Sequence, residues 1–242
     1  MTLPVLLFVA LCSICTSVIS AVCGMAGGIA LLSVMTLFMP MAVVIPIHGV
    51  VQLVSNASRT FLLRKSIHKP ITLWYLLGLP FGMGLSIGLI KTIQSETLPL
   101  LLIAALIFYT LFKPKKLPPL VIPFWGFAIL GVVSGFFSLL IGATGPLLAP
   151  FFLRDDLDRH QIISTKSSVQ MLTHLLKLPA FLSLGFDYGE WLPETLILTV
   201  CALLGTWLGV KVLGKLDDGV FRKIFRVALF LAALRILWKA MV

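Results

Sequence analysis

From Met1 to Ser58 the chain contains no Asp, Glu, Lys or Arg. One helical crossing of a bilayer needs only about 20 apolar residues, so this run has room for more than one pass and no means of building a water-facing surface. A second uncharged run extends from Pro119 to Leu153. Charged residues make up 12% of the chain and hydrophobic ones 59%, against roughly 25% charged in a soluble domain. The mean hydropathy of +1.09 says the same. The chain is therefore read as an all-α polytopic membrane protein. Met1 to Pro4 carries no Lys or Arg, so the apolar N-terminus lacks the basic flank of a signal peptide and is assigned to the mature fold.

The formal charge of +10 would suggest nucleic acid binding in a soluble protein. Here the cations cluster between apolar spans, as in cytoplasmic loops, so membrane topology explains them and a nucleic acid partner is not expected. Cys12, Cys15, Cys23 and Cys201 all fall inside apolar spans, which indicates neither a disulfide framework nor a zinc site. Cys12 and Cys15 form C-x-x-C, read as small buried apolar residues, with a sulfur-handling role as the sharper alternative. H-E-x-x-H, Walker A, G-x-G-x-x-G and an intramembrane carboxylate pair are all absent from the sequence, so no enzyme, metal or cofactor is expected and ATP hydrolysis by the chain itself is excluded.

Eight apolar segments are long enough, or nearly so, to span: 3–23, 44–63, 70–90, 97–112, 120–141, 161–185, 191–214 and 219–241. Two more, 28–39 and 146–153, are too short. Each short piece follows a glycine break, Gly24-Met25-Ala26-Gly27-Gly28 and Gly142-Ala143-Thr144-Gly145-Pro146. The breaks lie 118 residues apart, and the same offset places Val51-Gln52 on Val169-Gln170, His48 on Lys166 and Arg59 on Lys177. An offset of 121 then sets Gly84 and Gly88 on Gly205 and Gly209. The chain reads as one transmembrane domain, 1–242, made by duplication, with repeat one at about 1–116 and repeat two at about 117–242.

Loop charge decides how the repeats are oriented. Setting Arg59, Lys166 and Lys177 aside as lying within spans leaves sixteen cations. If only the eight long segments cross, these split evenly, against the positive-inside rule. If each repeat opens with a broken hairpin that enters and leaves on one side, the split becomes 13:3, with only Lys91, Arg235 and Lys239 outside. The loops Arg64 to Lys69, Lys113 to Lys116 and Asp155 to Arg159 are then cytoplasmic, and Phe186 to Glu190 is not. Three crossings after each hairpin invert the second repeat relative to the first. Inverted repeats with interrupted helices are a signature of secondary transporters.

Two polar stripes carry the chemistry. His48, Gln52, Ser55/Asn56 and Arg59 share one face of a helix, and Lys166, Gln170, Thr173/His174 and Lys177 do the same in repeat two. Such stripes avoid lipid, where a cation costs roughly 2.5 to 3.5 kcal/mol on insertion scales, so both face the bundle interior. One reading is interhelical hydrogen-bonding glue, with Arg59 and Lys166 snorkelling to the inner surface; the other is a substrate path, which repetition of the whole stripe favours. The stripes hold cations and amides but no Asp or Glu, so the expected substrate is an anion. Each glycine break also starts a half-helix whose free N–H groups suit an anion. Gln52, Gln170, Gly27, Gly28, Thr144 and Gly145 are the expected binding set, with Arg59, Lys177, His48, Asn56, Lys166 and His174 along the path.

The first glycine break with its short piece ending at Pro40, the polar-striped span, Trp74, the glycine-rich span from Gly78 to Gly88 and the repetition of that plan resemble the TauE/SafE sulfite exporter family. The resemblance covers nearly the whole chain. It implies movement of sulfite, sulfonates or related small organic anions across the inner membrane of a prokaryote. Taken together, the sequence predicts a secondary transporter with two inverted repeats, each a glycine-broken hairpin followed by three spanning helices. It would move sulfite, thiosulfate or an organosulfonate by alternating access. Transport of another organic anion, such as a carboxylate, and a non-transporting scaffold subunit are the alternatives. The coupling ion, the direction of transport and homo-oligomer formation are left open.

Overall fold

The computed structural model describes residues 1–23, 27–92, 95, 97–112, 121–152, 154–211, 230, 233, 234, 236–238 and 241. Among these are nine α-helices and no strand: α1 Leu3–Cys23, α2 Gly27–Met35, α3 Met41–Leu62, α4 Lys69–Ile90, α5 Thr97–Phe112, α6 Gly126–Ile141, α7 Gly145–Phe152, α8 Arg159–Ser183 and α9 Leu192–Lys211. Gly24, Met25, Ala26, the Lys113 to Lys116 loop and most of the expected span 219–241, with Lys215, Arg222, Lys223, Arg226, Arg235 and Lys239, lie outside the described residues.

Among the described residues four helices, 3–22, 41–62, 69–90 and 192–211, are long and apolar enough to cross a membrane. At 1.5 Å per residue, α2 with 9 residues and α7 with 8 extend only about 13 Å. They are the two short arms. The sixth helix starts at Gly126, later than the expected 120, because Pro123 lacks an N–H and holds the preceding residues extended. The eighth starts at a capping box, in which Asp158 Oδ1 accepts from the Gln161 N–H at 2.8 Å and Gln161 Oε1 accepts from the Asp158 N–H at 3.0 Å. Just before it, Arg154 forms a two-pronged pair with Asp156 at 2.8 Å, and the guanidinium holds the Asp156 carboxyl below its ordinary value.

Packing register fixes helix directions. A Cβ on Gly78 or Gly82 of α4 would overlap the Ala128 or Val132 carbonyl of α6, and one on Gly131 or Gly135 would overlap that of Tyr75 or Leu79. Residue numbers rise together, so α4 and α6 run parallel with their backbones touching. Small residues allow that approach, which membrane helices use in place of a hydrophobic driving force. Gly205 and Gly209 of α9 press in the same way on Ile14 and Val18 of α1, giving a second parallel seam. Between α3 and α8, His48 faces His174 and Arg59 reaches Ser167, so one numbering rises as the other falls and this pair is antiparallel. Gly84 and Gly88, which the sequence offset pairs with Gly205 and Gly209, have nothing within 4 Å of a Cβ position. On α4 it is Gly78 and Gly82 that make the close approach.

The distribution of polarity is inside out relative to a soluble protein. Leu73, Leu77, Phe81 and Leu85 of α4 and Leu196, Val200, Leu204 and Trp207 of α9 are exposed, while Ser13, Ser17, Asn56, Arg59, Lys166, Ser167 and Lys177 are buried. An apolar exterior suits lipid. Cys15 is exposed and Cys12 half-buried, so the C-x-x-C is not a pair of buried packing residues. One turn of helix puts both on the outward side of α1, and the Cys23 side chain lies outside the described residues.

Candidate functional site

The second break shows how the sequence makes a site. α6 ends at Gly142, whose φ of 84° lies in the left-handed region that a residue with a Cβ avoids. Ala143 and Thr144 then turn the chain, and Pro146, with its φ already preset, opens α7. Ser134 Oγ of α6 donates to Thr144 Oγ1 at 3.0 Å. The Gly142 carbonyl, at the electronegative end of α6, accepts from the buried Lys177 Nζ at 2.6 Å.

A small cavity lies between the breaks and the middles of α3 and α8, lined by Ser20, Gly28, Ile29, His48, Gln52, Ala143, Gly145, Pro146, Gln170 and His174. The two glutamines hold matching places. A Cβ on Gly28 would meet Gln52 Oε1 at 3.2 Å, and one on Gly145 would meet Gln170 Nε2 at 2.8 Å. Each amide therefore lies directly against the start of its own half-helix. His48 Nε2 lies 2.8 Å from the Gly28 carbonyl, and the His48 and His174 rings face each other edge to face with centroids 5.9 Å apart.

Six of the twelve expected residues line this cavity: Gly28, His48, Gln52, Gly145, Gln170 and His174. The other six do not. Gly27 packs against the Thr16 carbonyl of α1, Thr144 is held by Ser134, and Asn56 Nδ2 donates to the Gln52 carbonyl at 2.8 Å, one turn back on α3. Arg59 Nη1 donates to Ser167 Oγ at 3.3 Å and Nη2 to Ser55 Oγ at 3.5 Å. Arg59 and Lys166 are 1% and 2% exposed, so neither snorkels to a surface. Hydroxyls of the stripes do act as interhelical glue: Ser55 pairs with Thr206 of α9 and Thr173 with Tyr75 of α4, both at 2.8 Å.

Sequence reasoning missed Ser20, Ile29, Ala143 and Pro146. Ser20 had a signal, since Ser13, Thr16, Ser17 and Ser20 mark one small polar face of α1 at helical spacing. The other three are apolar and follow from the breaks alone. Among the described residues no group of three or more His, Cys, Asp or Glu side chains is placed to hold a metal ion.

The model of the family described as sulfite exporter TauE/SafE matches residues 9–236. The chain belongs to that family. It is a family of membrane transporters and not of enzymes, which makes this chain a multi-pass membrane protein with a small anionic substrate. No curated protein and no solved structure matches the chain.

Proposed function

We propose that the chain is a secondary transporter that carries sulfite, thiosulfate or an organosulfonate across the cytoplasmic membrane by alternating access. One observation carries this reading: Gln52 and Gln170, from the middles of two antiparallel helices, meet at one cavity, each lying against the first turn of a half-helix. Amide N–H groups and a helix start offer donors and partial positive charge to an oxyanion without a full cation that would hold it too tightly.

Inverted repeats account for the rest of the architecture. α4 of the first half pairs with α6 of the second, α9 of the second pairs with α1 of the first, and α3 and α8 cross antiparallel. Two copies of one unit inserted in opposite senses make that pattern. Sidedness follows from the loop charges and gains support from contacts between loops. Ser164 Oγ donates to the Ser66 carbonyl at 2.8 Å and the His68 N–H to Thr165 Oγ1 at 2.9 Å, which brings the Arg64 to Lys69 loop and the start of α8 to the same end. That end is cytoplasmic in this reading. Cysteine placed at Asp187 is then labelled from outside the cytoplasm, and labelling from the cytoplasmic side alone reverses the assignment.

Flux into proteoliposomes across a radiolabelled panel of sulfite, thiosulfate, sulfonates and carboxylates tests the function. Saturable flux of a sulfur anion supports it. Flux of carboxylates alone replaces the substrate class, and no flux of any anion leaves a scaffold subunit.

A further inference from the structure

The two histidines of the cavity have no part in the anion cage, yet both are buried and both line it. A carbonyl oxygen can only accept, so the His48 Nε2 that lies 2.8 Å from the Gly28 carbonyl carries the hydrogen. In a neutral His48 this leaves Nδ1 as a bare lone pair. That atom is buried with no protein partner among the described residues, and His174 Nδ1 is the same. Two imidazoles facing each other at 5.9 Å, each with a buried Nδ1 that has no partner among the described residues, are costly as packing, because a buried polar atom without a partner loses its hydration and gains nothing. A proton can be held there once a counter-charge is present.

We propose that the His48–His174 pair is a proton site loaded together with the anion, so that transport couples anion movement to proton movement. This rests on the anion reading of the same cavity. The charges around the pair explain why loading must be joint. α8 contributes the Lys177 ammonium, one turn from His174 and with its stem along Gly49 of α3. α3 contributes the neutral Gln52, α1 Ser20, α2 the Gly28 carbonyl, and the second break only Ala143, Gly145 and Pro146. Arg59 and Lys166 lie further along α3 and α8, and no Asp or Glu occurs in α1 to α8. A cationic imidazole beside an ammonium thus has no fixed counter-charge; an anion seated between Gln52 and Gln170 supplies it. Equally, the anion gains a full positive charge that leaves with the proton. One proton passes from solvent to an imidazole Nδ1 as the anion binds, and returns to solvent on the opposite side as the anion departs. Nothing else is consumed.

Thiosulfate is the probe, because it stays fully ionised near neutral pH and brings no proton of its own. Calorimetric titration of the purified protein in buffers of different ionisation enthalpy counts the protons taken up. The expected result is close to one per thiosulfate, with Kd tightening about tenfold for each unit that pH falls, as linkage requires for one proton. Binding without proton uptake overturns the proposal while leaving the anion site standing. Absence of thiosulfate, sulfite and sulfonate binding at every pH overturns both. His48→Gln and His174→Gln should each bind with a Kd that no longer follows pH; an unchanged pH slope in both assigns the proton elsewhere and overturns the proposal. Should either variant fail to fold, ¹⁵N-histidine NMR reads the intact pair in a His68→Gln/His160→Gln background, since the chain has four histidines. Thiosulfate should then move an imidazole Nδ1 from the bare to the protonated range, and no shift on saturation overturns the assignment.

Discussion

At the α4–α6 and α1–α9 seams the backbones themselves touch, glycine against carbonyl. At the α3–α8 crossing the contacts are made by long polar side chains: Lys177 lies along Gly49, Arg59 reaches Ser167, and His48 faces His174. A contact without side chains has no rotamers to change and leaves no void. Chains such as Lys, Arg and Gln have several rotamers and can exchange partners. The molecule therefore frames its centre with two stiff seams and keeps its adaptable contacts around the cavity, the place proposed above for the anion. Within the crossing the halves also differ. Lys177 closes the end of α6 by binding the Gly142 carbonyl, whereas Arg59, its counterpart by sequence offset, bonds serines of α8 and α3. In the second half Pro146 has no N–H, and the Leu147 and Leu148 N–H groups donate to the Thr144 carbonyl at 3.1 and 3.2 Å.

The comparison breaks most severely at a seam. Gly82→Leu places a branched chain where a Cβ alone would overlap the Val132 carbonyl, and it should destabilise by more than about 3 kcal/mol, read as loss of folded protein in a detergent melt. Next is Lys177→Met, which keeps the stem along Gly49 but strands a buried carbonyl. A loss of about 1 to 3 kcal/mol is expected, and a melt equal to the parent would show that Lys177 does not brace the break. Third, Gln52→Leu and Gln170→Leu test the adaptable centre. Both should melt close to the parent while anion affinity by calorimetry falls about tenfold or more, equivalent to about 1.4 kcal/mol; two folded variants that bind like the parent make the glutamines packing residues. Smallest of all is Gly84→Ala, which points into open space and should shift the melt by no more than about 1 kcal/mol, upward, as alanine replaces glycine in a helix.

Much of the fold was legible in the sequence for local reasons. The 97–112 helix is identical to its expectation because Glu96 and Lys113 bound an uninterrupted apolar run. The short arms were readable because a glycine break followed by an apolar piece of only twelve or eight residues, 28–39 and 146–153, cannot reach across a bilayer. Half of the candidate site was legible too. Matching offsets put Gln52 and Gln170 in corresponding places, and the absence of carboxylates pointed to an anion.

What the sequence determined by itself is whatever depends on one helix at a time: which segments are apolar, where they break, and which polar residues share a face. The tertiary structure decided everything that depends on a partner helix. Glycines recur on more than one face of α4, and only the position of α6 selects Gly78 and Gly82 over Gly84 and Gly88. His48 matches Lys166 by offset, yet it meets His174 in space, because an antiparallel crossing pairs residues whose numbers sum to a constant, while a duplication pairs those that differ by one. Lys177 meets the Gly142 carbonyl because α8 passes the end of α6. Which buried donor finds which buried acceptor is set by the direction and register of neighbouring helices, and neither is written in the pattern of a single span.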